Sequence, residues 1–195
     1  MRLLISGGPG SGCTSTAEKI SGEMGIPVFD SDSFFHKPSD PPFQEQYSPE
    51  ERRVMLGAAL SKESSWIVSG SVATWGLSSF NPTHGVLLDV PKTVRLQRLM
   101  QRQRTQFGQR IDLGGDMHEE HEAFMEWAAA YGERSGSGRN LSTDREYLMN
   151  HCDSFMSIDK VADIEVIVGQ IMSFLTDPTN AAQLDHSRPD SSLPT

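Results

Sequence analysis

Nine residues near the start of the chain, Gly7-Gly8-Pro9-Gly10-Ser11-Gly12-Cys13-Thr14-Ser15, have the composition and spacing of a loop that cradles phosphate. Glycines let successive backbone N–H groups turn inward around an anion, and a following helix N-terminus adds partial positive charge. The run from Gly7 through Gly12 to Thr14 fits the pattern G-x-x-x-x-G-K-[ST] except at one place, where Cys13 stands for lysine. That lysine normally bridges terminal phosphates, and a thiol with an ordinary pKa of about 8.5 carries no positive charge at neutral pH. The glycines and the Thr14 hydroxyl, a Mg²⁺ ligand in such loops, remain. Phosphate binding is therefore expected, whereas phosphoryl transfer requires another cation. A glycine turn that binds nothing is the alternative, and it sits poorly with a strand before the loop and a helix after it.

Two carboxylates, Asp30 and Asp32, flank Ser31 at the exit of a second apolar run. Strand alternation would put both on one side, where a carboxylate can take a hydroxyl proton or hold metal-bound water. Ordinary turn chemistry is the other reading. Further along, residues 92–111 carry six basic side chains (Lys92, Arg95, Arg98, Arg102, Arg104, Arg110) and no acidic one. Arg95, Arg98 and Arg102 share a helix face, which suits a polyanionic ligand as well as a solvated surface. Residues 105–118, with Gly108 and Gly114-Gly115, read as a mobile lid. Trp75, in a loop leaving a strand, could stack on a flat substrate or pack inward. His118 and His121 are three apart and miss the four-residue spacing of a zinc-protease helix, so a metal site is rejected there. Asp116 and Glu119 read instead as a capping-box-like helix start. Phe124, Trp127, Ala128 and Tyr131 recur at helical spacing and read as core.

The elements that must position these groups alternate. Leu3-Leu4-Ile5 reads as a buried strand, and residues 14–24 as a helix ended by Gly25. Ile26-Pro27-Val28-Phe29 is a second strand, and residues 33–48 are for the most part neither helix nor strand. Ser48-Pro49-Glu50-Glu51 is a capping box opening a helix to about residue 62. Strands follow at residues 66–70, 86–90 and 154–158, with helices opened by Pro91, near 119–132, near 142–150 and over 161–175. This is an α/β domain with a parallel sheet covered on both faces, and its ligands should gather beyond the strand C-termini. The domain is expected to span residues 1–176, with 177–195 a disordered tail rich in Pro, Ser, Asp and Thr.

The 195 residues suffice for one domain with a full core, and a net charge of −9 argues against nucleic-acid or membrane-surface partners. Cys13 and Cys152 are too few for a disulfide framework or a zinc site. With no leader and no membrane-spanning run read in the sequence, a cytoplasmic protein is expected.

Taken together, the Gly7–Ser15 loop, Asp30-Ser31-Asp32-Ser33-Phe34-Phe35, Leu87-Leu88-Asp89-Val90-Pro91 and Arg98-Leu99-Met100-Gln101-Arg102 resemble the P-loop kinases of the adenylate kinase and shikimate kinase type. The likeness covers roughly residues 1–176. The Asp-x-Asp is similar to that of shikimate and gluconate kinases, and Asp32-Ser33-Phe34-Phe35 to the acceptor turn of uridine kinase-like enzymes. The chain as a whole looks most like uncharacterised bacterial relatives of adenylate kinase whose loop also lacks the lysine. The resemblance implies a three-layer P-loop NTPase fold with sheet order 2-3-1-4-5, ATP and Mg²⁺ as cofactors, Arg98 along the base and Arg102 on the phosphates.

On this reading the protein is an ATP-dependent kinase of a small molecule, such as a nucleoside or nucleotide. Thr14 holds Mg²⁺, Asp32 is base or metal anchor, and Arg102 or Arg110 brings the missing charge from the lid. The acceptor is expected between Asp30, Asp32, the Phe35 loop (residues 34–42), Ser71 and Trp75, and should be flat or partly apolar. A nucleotide-sensing pseudokinase is the alternative, with a Cys13 thiol of lowered pKa giving redox sensitivity. A phosphate-loop hydrolase without an acceptor is a third.

Overall fold

The structure, a computed structural model, describes residues 1–39, 44–77 and 80–177. The expectations for the tail from residue 178 onward and for residues 40–42 of the acceptor loop lie outside the described residues. The chain runs β1 (Arg2–Gly7), α1 (Cys13–Met24), β2 (Val28–Asp30), α2 (Asp32–Phe35), α3 (Pro49–Leu60), β3 (Trp66–Ser69), β4 (His84–Leu88), α4 (Lys92–Phe107), α5 (His118–Ala129), α6 (Leu141–His151), β5 (Ser154–Ile158) and α7 (Ile164–Thr176). All strand pairings are parallel, and the sheet order is β2-β3-β1-β4-β5. This is the P-loop kinase fold.

A strand with neighbours on both sides and helices on both faces must be apolar along its whole length. β1 obeys this, with Leu3, Leu4 and Ile5 fully buried. Its alternation then divides the core in two. Leu3 and Ile5 join Val86 and Leu88 beneath Ala17 and Ile20 of α1 and Ile167, Val168 and Ile171 of α7. Leu4, with Val68 and Leu87, faces Leu56 and Leu60 of α3 and Leu148 of α6.

The helix boundaries follow their caps. The Ser48 hydroxyl accepts from the Glu51 N–H at 3.2 Å and the Glu51 carboxylate accepts from the Ser48 N–H at 2.6 Å, with Pro49 at the first position. α1 ends on Gly25 at φ 67°, as expected. α6 opens on a reciprocal cap between Asn140 and Thr143 that the sequence reading passed over. The presumed cap at Asp116 is absent. Met117 precedes α5 instead, and Asp116 pairs with Arg110. Residues 33–48 hold more structure than expected, because α2 starts at Asp32 and residues 35–37 pair back on 45–47. In the segment expected to form a lid, α4 continues to Phe107, and a 3-10 turn over Gly108–Ile111 follows. Two ion pairs, Arg104–Asp112 at 2.6 Å and Arg110–Asp116 at 2.8 Å, staple this corner. Among the described residues, no helix is long and apolar enough to cross a membrane.

Candidate functional site

The C-terminal ends of β1, β3 and β2 lie side by side, and those of β1 and β2 deliver the groups of the site. The loop from Gly7 to Cys13 is shaped by close approach to α4. Gly10 sits at φ 83°, and any Cβ there would collide with the Arg95 carbonyl. Gly12 at φ 96° reverses the chain into α1. Two arginines hold the loop from outside. Arg95 Nη1 donates to Pro9 O at 3.0 Å, and Arg98 Nη1 donates to Ser11 O at 3.3 Å. In a trans peptide the following N–H points opposite to the carbonyl. With Pro9 and Ser11 carbonyls pulled outward, the N–H groups of Gly10 and Gly12 turn inward. The cradle expected from glycine spacing is therefore fixed in place by guanidinium groups.

Within the basic stripe the roles separate. Arg95 is only 3% exposed and also donates to Val90 O and Ala128 O, with its guanidinium over the Tyr131 ring. It is a brace, not a ligand-facing group, because α4 packs this side of its face on the loop. Arg98 and Arg102 are exposed on the outer surface of α4, together with Gln101, Thr105 and Gln106. Neither expected replacement for the lysine reaches the loop: Arg110 is held by Asp116, and Arg102 makes no hydrogen bond to the loop among the described residues.

A different arginine does reach it. Arg139, just before the α6 cap, donates from Nη2 to Gly7 O at 3.1 Å, while its Nε is buried without a hydrogen-bond partner among the described residues. Its positive charge lowers the cost of ionising Cys13, Asp30 and Asp144. The sequence reading missed it because it stands apart from the stripe, in Ser135-Gly136-Ser137-Gly138-Arg139-Asn140. A lone arginine between a glycine-rich turn and a helix cap was the available signal.

Cys13 departs from expectation. A thiol at a helix N-terminus should ionise easily, yet this one is 8% exposed and burial pushes it up to about 11, outweighing its contact with Ser11 Oγ at 3.2 Å. Cys152 is likewise raised to about 12 by burial. Burial thus works against the lowered Cys13 pKa that the redox form of the sensor reading expects. At pH 8 a disulfide reagent should label the folded protein at least ~100-fold more slowly than the urea-unfolded chain. Prompt modification located at Cys13 by peptide mapping would show that the loop opens far enough to expose it.

The Thr14 hydroxyl donates to Asp30 Oδ2 at 2.9 Å, and the Asp32 N–H donates to Asp30 Oδ1, also at 2.9 Å. Burial raises the Asp30 carboxyl, and those two bonds pull it back. The two carboxylates do not align by strand alternation, because β2 stops at Asp30 and Asp32 already belongs to α2. Asp30 therefore partners Thr14, and Asp32 is left exposed at the mouth. Next to it, Phe35 is half-buried, with the Arg52 guanidinium 3.6 Å above its ring.

Ser71 and Trp75 do not face a ligand. Trp75 is 5% exposed inside the core and tilts against Phe35 at 6.3 Å, because the segment after β3 folds back over the Leu4–Val68 face. The Ser71 hydroxyl is committed to Asp144 Oδ1, whose other oxygen accepts from Tyr131 OH at 2.7 Å. Trp127 is the reverse case: expected in the core, it lies exposed beside the guanidinium groups of Arg134 and Arg139. His121 is buried against Gln103, and among the described residues no group of three or more His, Cys, Asp or Glu could hold a metal.

Asp144 is 1% exposed, and burial raises its carboxyl against the pull of Ser71 and Tyr131. A carboxyl raised on folding contributes stability below its unfolded pKa of about 3.9, lost as pH climbs through the folded value. Asp144→Asn should remove that loss. The stability difference between variant and wild type should then move in the variant's favour as pH rises from 4, measured by urea unfolding. A difference independent of pH would show that Asp144 titrates normally.

No family model matches the chain. It is 25% identical over 174 residues to a protein of Bacillus subtilis (strain 168) described as uncharacterized protein YqaC, covering 88% of this chain and 96% of that one. Among solved structures it is similar to shikimate kinase from Acinetobacter baumannii in complex with shikimate, with TM-score 0.55 and 14% identity over 90% of this chain and 93% of that one. It is also similar to deoxyadenosine kinase from M. mycoides with bound dCTP, with TM-score 0.51 and 14% identity over 90% and 98%. These likenesses concern the fold.

Proposed function

We propose that the protein is an ATP- and Mg²⁺-dependent kinase of a small molecule. The observation that carries this reading is the order of groups along one sheet edge: a loop with inward N–H groups, the Thr14–Asp30 oxygen pair, then an exposed carboxylate at Asp32. The residues fit the cofactor. A cradle that admits no Cβ at Gly10 leaves its amides for phosphate, and a hydroxyl beside a carboxylate suits a hard cation. Thr14 and Asp30 would hold Mg²⁺ directly or through water, and Arg98 and Arg102 would line the side of the base and outer phosphates. Bound MgATP supplies the phosphoryl group, its charge partly neutralised by the metal.

The chain's own work is positioning and proton transfer. Asp32, exposed and one helical turn from Phe35, accepts the proton of an acceptor hydroxyl. Phe35 offers an apolar face, and Arg52 above it offers a partner for negative charge. A flat acceptor with one hydroxyl and an anionic group fits this corner better than a simple sugar. The fit favours nucleotides and cyclic hydroxy acids.

The test is ADP formation from MgATP with nucleosides, nucleoside monophosphates and cyclic hydroxy acids supplied in turn. ADP that appears only with one of these classes supports the proposal. MgATP bound without turnover on any of them is the result expected of a non-catalytic nucleotide-binding module. ADP formed at one rate with and without acceptor marks a hydrolase.

A further inference from the structure

On the nucleotide-binding reading above, we infer that Arg139 takes the place of the missing loop lysine as the fixed cation on the terminal phosphates. A lysine at position 13 would send its side chain past Gly7, since the Cys13 thiol already comes within 3.2 Å of where a Gly7 Cβ would stand. The Arg139 guanidinium occupies that same neighbourhood, bonded to the Gly7 carbonyl at the end of β1. Two side chains from opposite ends of the chain thus converge on one residue, one short and neutral, the other long and positive.

Most other cations near the loop already have partners, and Arg102, which is exposed, makes no hydrogen bond to the loop among the described residues. Arg95 donates from Nε and Nη1 to three carbonyls, and Arg98 grips Ser11 from outside. Arg104 and Arg110 pair with Asp112 and Asp116, and Lys92 with Glu133. Arg139 forms no ion pair among the described residues, and its Nε is buried with its hydrogen unspent. A buried donor left unpaired beside a phosphate cradle is a cost that an anion removes.

Its backbone is held in place. Arg134 Nη1 donates to Arg139 O at 3.0 Å, and Asn140 caps α6 through Thr143. The charge is therefore present before any lid closes, unlike one carried by Arg102 or Arg110. Cysteine at position 13 is consistent with this, since a lysine there would set a second cation against the guanidinium.

Calorimetric titration of the full chain with MgATP, and with tripolyphosphate alone, tests the assignment. Arg139→Met should weaken both ligands on the order of 30-fold or more, as for a desolvated charge contact. Adding Cys13→Lys should restore affinity to within about threefold of wild type, whereas the same change in the natural protein should gain much less. Equal gains from Cys13→Lys in both backgrounds, or an Arg139→Met protein that binds like wild type, would overturn the inference and leave the nucleotide reading standing. A wild-type protein that binds neither ligand would overturn both. If Arg139→Met does not fold, Arg139→Lys and Arg139→Gln replace it: retained affinity in the first and loss in the second support the charge role. The same affinity in both contradicts it.

Discussion

Asp32→Asn is expected to lower kcat on the order of 10²–10⁴-fold while leaving MgATP affinity within about threefold, because a positioned general base contributes rate of that size. On the proposed function the two carboxylates have separate tasks. Asp30 is bonded to Thr14 and to the Asp32 N–H, so it belongs to the metal side of the site. Asp32 is exposed, at the first residue of α2 and one helical turn before Phe35. Asparagine preserves its size and its backbone bond to Asp30 but cannot accept a proton. Asp30→Asn should give the opposite pattern, with weaker Mg²⁺ dependence and weaker nucleotide binding. If the Asp32 variant instead loses MgATP affinity in step with kcat, Asp32 serves the metal and the assignment of the base is wrong.

Arg95→Ala should destabilise the fold by roughly 3–5 kcal/mol, among the largest single-residue effects in the molecule. Its guanidinium is the shared donor to Val90 O, Pro9 O and Ala128 O, and truncation strands carbonyls on three segments at once, those of Val90 and Ala128 in buried bonds. The loop would suffer with the core, because the Pro9 carbonyl is one of the two anchors that turn its amides inward. Arg102→Ala, exposed two turns along the same helix, should cost less than about 0.5 kcal/mol. Urea unfolding of the two variants checks the contrast. A similar small change in both would mean that Arg95 is not the brace its contacts describe.

The sheet was legible because parallel strands leave continuous apolar runs, and Leu3-Leu4-Ile5 and Val86-Leu87-Leu88 need no partner information to be read. The phosphate loop was legible because only glycine tolerates the backbone and close approach at Gly10 and Gly12. Periodicity also placed Arg95, Arg98 and Arg102 on one helical face. It could not say that α4 packs on the loop through Arg95 and leaves the other two outside. Arg139 was invisible for a related reason, since its role comes from the start of α6 lying beside the end of β1, some 130 residues earlier. Trp75 and Trp127 exchanged places relative to expectation. A tryptophan in a loop folded back on the core, and another on the open flank of α5, carry no local mark of which is buried. Cys13 ran counter to its helix-terminus expectation because burial outweighed the favourable field of the helix.

The proposed chemistry is tested most directly by following phosphorus resonances while the protein is incubated with MgATP and an acceptor that supports ADP formation. A new signal from the phosphorylated acceptor, a phosphoester from a hydroxyl or a phosphoanhydride from a nucleoside monophosphate, should grow in step with ADP, one for one, with no accumulation of inorganic phosphate, and it should disappear in Asp32→Asn. Inorganic phosphate rising in place of the phosphorylated acceptor would contradict the assignment of this fold and site to phosphoryl transfer.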